Sequence, residues 1–387
     1  MSDPLPGFQV RRIVPYRRAP GDIALGPDHP TLDGMPRLAV QAEAGTVVAA
    51  EWLPGSVHRG VEKLFESRDY RQILMLVDRH DWLSAFCSEI ALAVGVERQV
   101  GLTPPGRAQH IRVLLAELTR IAHHLAFLAP LPGLIPPAWR STAWEWRAEV
   151  LDLIEAATGH RIHPMFCQVG GVRQDVPTDW VDRVAEATAP ESGRQPNQGW
   201  RMRLAALDSP ELAAVLDTQY AGVGVLSRSD AMAFGASGPV ARASGVDLDL
   251  RRDDPCLPYP DFPVSLRQAG DARARMRCLV DELATSLDLA AAAAAHLKGC
   301  PGAPVNVRLP KVVRVPEGSA YSWSEGPTGI NGYLLVSAND RTPWRLKLRS
   351  AGFNNAAAVA AALPGTRESD LAAAIGSFLL ICGDVDK

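Results

Sequence analysis

From Pro104 to Leu128 the apolar residues Ile111, Leu114, Leu115, Leu118, Ile121, Leu125 and Leu128 recur mostly at steps of three or four. That is one stripe of an amphipathic helix, and a helix this long buries its stripe against other helices. Thr103 with Pro104 and Pro105 marks the start, because a proline in the first turn sacrifices no hydrogen bond. A second helix fits WEWRAEVLDLIEAATG, stopped by Gly159. A third fits ARMRCLVDELATSLDLAAAAAAHLKG, where the alanine run is a good helix former.

The flanks have a different period. RLAVQAEAGTVVAAEWL has two apolar runs broken by Ala44-Gly45, a hairpin signal. NGYLLVSANDRTPWRLKLRS reads as two alternating strands around Asn339-Asp340, followed by a short helix. SGPVARASGVDLDLRRDDPCLPYPDFP is dense in Gly, Pro and Asp and reads as ordered loop. The expectation is an α+β protein. Residues 1–55 form an N-terminal hairpin region, 56–300 a bundle of long helices with a loop insert at 237–270, and 301–387 a C-terminal hairpin and helix.

Composition excludes several classes. A net charge of −3 gives nucleic acid no basic surface to bind. The most apolar run, Leu371 to Cys382, falls short of the roughly 20 residues that cross a membrane. The first residues hold no apolar signal core. Membrane contact is therefore expected to be peripheral. Cys87, Cys167, Cys256, Cys278, Cys300 and Cys382 include no C-x-x-C pair, so no metal or cluster site is expected from this chain alone. No dinucleotide fingerprint is present, so NADH is not expected to bind here.

The segment HRGVEKLFESRDYRQILMLVDRHDWLSAF, His58 to Phe86, reads as helix yet is crowded with charge. Arg59, Glu62, Lys63, Glu66, Asp78, Arg79, Asp81 and Glu89 interleave with Val77, Trp82, Leu83 and Phe86. Burying charge is costly unless it is paired, so this mixture points to a polar cavity or an interface. His123 and His124 lie on the long helix near Glu117 and Arg120. Histidines beside an apolar stripe are expected to hydrogen-bond a neighbouring element.

HRGVEKL and DRHDWLS resemble the HRGxEK…DRxDYxS signature of the D-type (49-kDa-type) subunit of respiratory complex I, NADH-quinone oxidoreductase. RAQHIRVLLAELTRIAHHL, GGVRQDVP, GPVARASGVDLDLRR, PWRLKLRS and the final GDVDK continue the likeness in family order. The resemblance implies a fold like the nickel-iron hydrogenase large subunit, from which the family descends. Hydrogenases hold their metals with two C-x-x-C motifs. Here the first is absent and the second is reduced to Cys382, so hydrogenase chemistry is excluded. The family's metal cavity has become a quinone chamber beside the terminal iron–sulfur cluster of the neighbouring B-type subunit.

By resemblance, the chain is expected to bind no cofactor itself and to take quinone as substrate. It is expected to pack with complex I subunits B, C, H and I, peripheral to the cell membrane on the cytoplasmic side. Quinone reduction there would drive proton translocation. The expected chamber or interface residues are His29, Gly34, His58, Arg59, Glu62, Asp78, Arg79 and Asp81.

Departures from the family touch the headgroup itself. The family's HPSTHG reads HPTLDG, so Asp33 stands where the quinone-binding histidine belongs. The family's DRxDYxS tyrosine is Trp82. An indole offers only an N–H donor, and an ionised Asp33 only acceptors, whereas a neutral Asp33 still donates. The acid expected after the long helix is missing near Pro132 and Gly133, and the MESLIHHFK-type segment before the last hairpin is absent. Two other readings share the resemblance: a paralogue in a related membrane-bound complex with another donor or acceptor, and a non-catalytic assembly scaffold.

Overall fold

A computed structural model describes residues 7–13, 21–25, 28–32, 36–132, 136–189 and 199–387. Ala44 and Gly45, both with left-handed backbone (φ 49° and 78°), reverse the chain in the tight turn that suits the twist of a hairpin. They join β2 (Arg37–Glu43) to β3 (Thr46–Leu53), and β1 (Gln9–Arg12) pairs with the other edge of β2. The expected N-terminal hairpin is thus two strands of an antiparallel three-stranded sheet.

The segment from His58 to Phe86 is not one helix. It forms α1 (Val61–Phe65), α2 (Tyr70–Val77) and the start of α3 (Ala85–Val100). The breaks have local causes. Gly60 enters α1 with a left-handed backbone (φ 63°). Asp69 caps α2, accepting the Arg71 and Gln72 N–H groups, and Gln72 reaches back in a capping box. The DRHDWLS stretch, Asp78–Ser84, expected on a helix, is the turn between α2 and α3. The Asp81 carboxylate closes that turn by accepting the Ser84 N–H at 3.2 Å and the Ser84 hydroxyl.

The three long helices stand where the sequence places them, although α5 starts at Pro137 and not at the expected Trp144. They are α4 (Gly106–Leu128), α5 (Pro137–Thr158), stopped by left-handed Gly159, and, further along, Ala272–Lys298, capped by Asp271. Between α5 and that last helix come the two-residue strands β4 (Cys167–Gln168) and β5 (Gly171–Val172). Then follow α6 (Trp180–Thr188), α7 (Trp200–Leu207), α8 (Pro210–Gln219) and α9 (Arg228–Ala233). The segment expected as loop contains α10 (Gly238–Ala243) and α11 (Leu250–Asp253), short turns started by a proline and by an aspartate cap. The helix Ala272–Lys298 is therefore α12, and it packs along α4, which packs in turn on α5.

The C-terminal hairpin is also part of a larger sheet. β7 (Ile330–Ser337) pairs with β8 (Arg345–Arg349) and, on its other side, with β6 (Gly318–Glu325). Then come α13 (Ala351–Ala362), α14 (Leu371–Gly376) and α15 (Cys382–Val385). A continuous apolar core joins Leu38 and Val40 of the first sheet, Phe86 and Ile90 of α3, and Leu114 and Leu118 of α4. It continues through Leu283 of α12 to Leu335 and Leu346 of the last sheet. The class is α+β.

Candidate functional site

Residues 376–386 lace the expected site together. The His29 loop lies on one side of them: Thr31 Oγ1 donates to the Leu380 carbonyl at 2.8 Å, and Cys382 Sγ donates to the Thr31 carbonyl at 3.3 Å. The Trp82 ring lies on the other, packed so closely on Gly383 that an added Cβ would overlap both the ring and the His80 carbonyl. Only glycine leaves that space. Two consecutive residues, Cys382 and Gly383, therefore touch the two segments that sequence reasoning joined.

His29 is buried against the end of α4, edge-on to Phe127. Its Nδ1 accepts the Thr31 N–H at 3.3 Å, and its Nε2 faces Gly376. Burial lowers its pKa to about 4, with the Gly376 backbone pulling part of the way back. The ring is therefore neutral near pH 7. Asp33 and Gly34 lie outside the described residues.

The turn carrying Trp82 is acidic. Asp78 and Asp81 are fully buried. Asp78 accepts from Arg79 at 2.7 Å, and His163 stands 3.5 Å away. Burial, and then the charge of Asp384, push Asp81 up to about 7 against the pull of its Ser84 bonds. Glu89, one turn into α3, accepts the N–H groups of Met165, Phe166 and Cys167 at 2.8–3.0 Å. Burial and the Asp78 charge still raise it to about 8.

The first half of the charged segment has other partners. His58 is exposed and bonds through Nδ1 to the carbonyls of Asp386 and Lys387 at 3.0 and 2.7 Å. Arg59, also exposed, donates to the Arg79 carbonyl at 2.9 Å. Glu62 ties α1 to β8, accepting from Arg345 (2.6 Å), Lys347 (2.8 Å) and the Leu348 N–H (3.1 Å). Burial pushes its pKa up, but the Lys347 and Leu348 bonds outweigh burial and leave it below the ordinary value. The segment is thus two populations: buried acids at 78, 81 and 89, and surface pins at 58, 59 and 62.

His123 and His124 open onto a second polar region between α4, α12 and the last sheet. His124 Nε2 meets Glu282 at 3.0 Å, and His123 Nε2 meets the Thr328 hydroxyl at 3.0 Å, as expected of histidines beside a stripe. Around them Arg120, Arg242 and Arg251 interlock with Glu117, Asp249, Glu282 and Glu325, all buried. Arg242 reaches Glu282 at 2.7 Å and Glu325 at 2.8 Å. Burial opposes ionisation of Glu282, yet Arg242 and His124 hold it far below the carboxylate range. Burial and the Asp249 charge raise Glu325. Glu117 and Arg120 were visible in the sequence, but the partners on α10 to α12 were not.

Sequence reasoning also passed over His80, Tyr333 and Asp384. His80 stands in DRHDWLS and Asp384 in GDVDK, so the signal was there without a geometry to join them. The cleft that Trp82 lines, with Phe86, Ala122 and Leu151, has space of about 20 Å³, room for a water and not for a ring. A cavity of about 430 Å³, lined by Arg71, Met75, Met165, Cys167 and Arg308 among others, contains none of the expected site residues.

Comparison with known proteins identifies the family. A sequence model of the family described as "Respiratory-chain NADH dehydrogenase, 49 Kd subunit" matches residues 139–313 and 307–387. The NADH-quinone oxidoreductase D 2 subunit of Salinispora arenicola is 47% identical over 368 residues, covering 94% of this chain and 93% of its own. The corresponding D 1 subunit of Streptomyces coelicolor is 45% identical, covering 94% of both chains. The D 2 subunit of Rhizobium etli is 34% identical, again covering 94% of both. The chain belongs to the family of the respiratory-chain NADH dehydrogenase 49 Kd subunit, and so is one subunit of an oxidoreductase complex.

Proposed function

We propose that this chain forms one wall of a quinone-reducing chamber in a proton-translocating NADH-quinone oxidoreductase, at the cytoplasmic face of the cell membrane. The observation that carries the reading is the convergence of the His29 loop and the Trp82 turn on Cys382 and Gly383. No helix among the described residues is long and apolar enough to cross a membrane, which fits peripheral attachment. The Trp82 cleft has no room for a ring within this chain, so the reading requires other chains to supply the space for the headgroup. Complex I subunits B, C, H and I are the partners proposed to close it.

Reducing a quinone to quinol takes two electrons and two protons. The electrons come from an iron–sulfur cluster held by the B-type subunit. This chain orients the headgroup and manages protons. Trp82 offers its indole N–H to a quinone oxygen, a bond that strengthens as negative charge develops there. Neutral His29 fixes Thr31 through Nδ1, just ahead of Asp33 and Gly34 in the sequence. Asp81, with its affinity for protons raised to near neutrality, keeps a proton close to the headgroup without placing a fixed anion beside it.

Purification of the tagged chain from its own membranes in mild detergent tests this. Mass spectrometry should find subunits B, C, H and I, and the sample should reduce quinone with inhibitor sensitivity. The same partners without that activity would favour a paralogue with another acceptor. A lone soluble protein would overturn both readings.

A further inference from the structure

We propose that His80 is a positioning residue for quinone reduction, holding the Trp82 turn in place through Asp384 and Tyr333. The inference rests on the functional reading above and adds residues to it. Trp82 sits in a turn, not on a helix, so no helical ladder fixes its height or direction. Its ring is set by contact with Gly383. Whatever locks the Asp78–Ser84 turn to residues 383 and 384 therefore decides where the indole points.

His80 is that lock. Its Nδ1 lies 2.8 Å from Asp384 Oδ1 and its Nε2 lies 3.1 Å from the Tyr333 hydroxyl. All three side chains are buried. Asp384 is itself fixed: its Oδ2 accepts the Gly352 N–H at the start of α13, and its carbonyl accepts the Ser350 hydroxyl. Tyr333 sits on β7, the central strand of its sheet. One imidazole thus joins the turn to the C-terminal segment and to the sheet.

The chemistry assigns the protons. A carboxylate only accepts, so the Asp384 contact calls for the His80 tautomer with its proton on Nδ1. In that tautomer Nε2 accepts from the Tyr333 O–H. Both ring nitrogens are satisfied without water, and the line Asp384–His80–Tyr333 has one consistent direction. A leucine at position 80 would fill the space but leave Asp384 and Tyr333 without that partner. A freed turn lets the indole drift, and small misplacement of a group that orients a reacting ring is expensive in rate.

The test uses the intact complex purified from membranes. His80→Leu should assemble with all partners and lower kcat for quinone about tenfold or more, with KM changed much less. His80→Asn, whose amide N–H stands near the place of Nδ1–H, should recover most of that loss, which a generic packing defect would not do. Tyr333→Phe removes one oxygen from a packed ring and should lower kcat several-fold. If His80→Leu fails to assemble, Tyr333→Phe decides the matter. Wild-type turnover in assembled His80→Leu or in Tyr333→Phe would overturn the inference while leaving the quinone reading intact. A wild-type complex without quinone reduction would overturn the reading and this inference together.

Discussion

Asp81 carries more than its place in a motif suggests. Its pKa, about 7 in the folded chain, lies above the roughly 3.9 of an unfolded aspartate. The native state therefore binds a proton that the unfolded state releases across that interval. This contribution to stability is complete below about pH 4 and is lost as pH rises through 7. Asp81→Asn is neutral throughout and should not show the loss. Relative to the variant, the wild type should weaken by up to about 1.4 kcal/mol per pH unit across the interval, read from denaturant unfolding at several pH values. Parallel stability curves would mean that Asp81 is ionised in the fold. If the proposed headgroup site stands, Trp82→Ala and Asp33→Ala should each impair quinone turnover by about tenfold, the worth of one hydrogen bond, while co-purification of partners is unchanged. Unaltered turnover in both variants would remove these positions from the site.

Among the elements, the turn at Asp78–Ser84 shows why a site is harder to read than a helix. Its residues were legible as a charged, aromatic motif, but the helical period around them hid the break. The break depends on one side chain, Asp81, folding back onto Ser84. The long helices α4, α5 and α12 were legible from the apolar period and proline start of the first, the glycine stop of the second and the alanine run of the third. β6 was not, because in GSAYSWSE the serines Ser322 and Ser324 face inward and Tyr321 outward, the reverse of an apolar-in strand, and its place comes from pairing with β7. Nor did sequence distinguish Glu62, which pins a surface helix, from Asp78, which is buried: both are acids in one charged run. Glu89 gives the sharpest test at this scale. It satisfies three backbone N–H groups of the segment Met165–Cys167 that leads into β4. Glu89→Ala should cost about 3 kcal/mol and sharply speed hydrogen exchange at residues 165–167. Unchanged exchange there would show that the segment is held by other contacts.

Across the whole molecule, the buried charges form a centre of their own. Arg242 lies at the crossing of α10, α12 and β6, facing Asp249, Glu282 and Glu325. Removing it leaves buried Glu325 without its cation and takes one cation from Glu282 and Asp249, which keep Arg120 and Arg251, so Arg242→Met should destabilise by about 3–5 kcal/mol, measured by denaturant unfolding. A loss within about 1 kcal/mol would mean that water or relaxation compensates the acids. The resemblance supplied the family from scattered motifs, yet it did not foretell that these motifs meet in two separate polar centres. One is the network around Arg242, and the other is the seam around Gly383.

That seam has a consequence for biosynthesis. Gly376 to Asp386 are needed to seat the His29 loop, to back the Trp82 ring and, through Asp386, to accept the N–H groups of Gly55 and Val57. The ribosome delivers these residues after every segment they hold. Until these residues emerge, the His29 loop, the Trp82 ring and the Gly55–Val57 backbone lack the partners they have in the folded chain. A partner that docks on this seam therefore finds its surface only after residues 376–386 are in place.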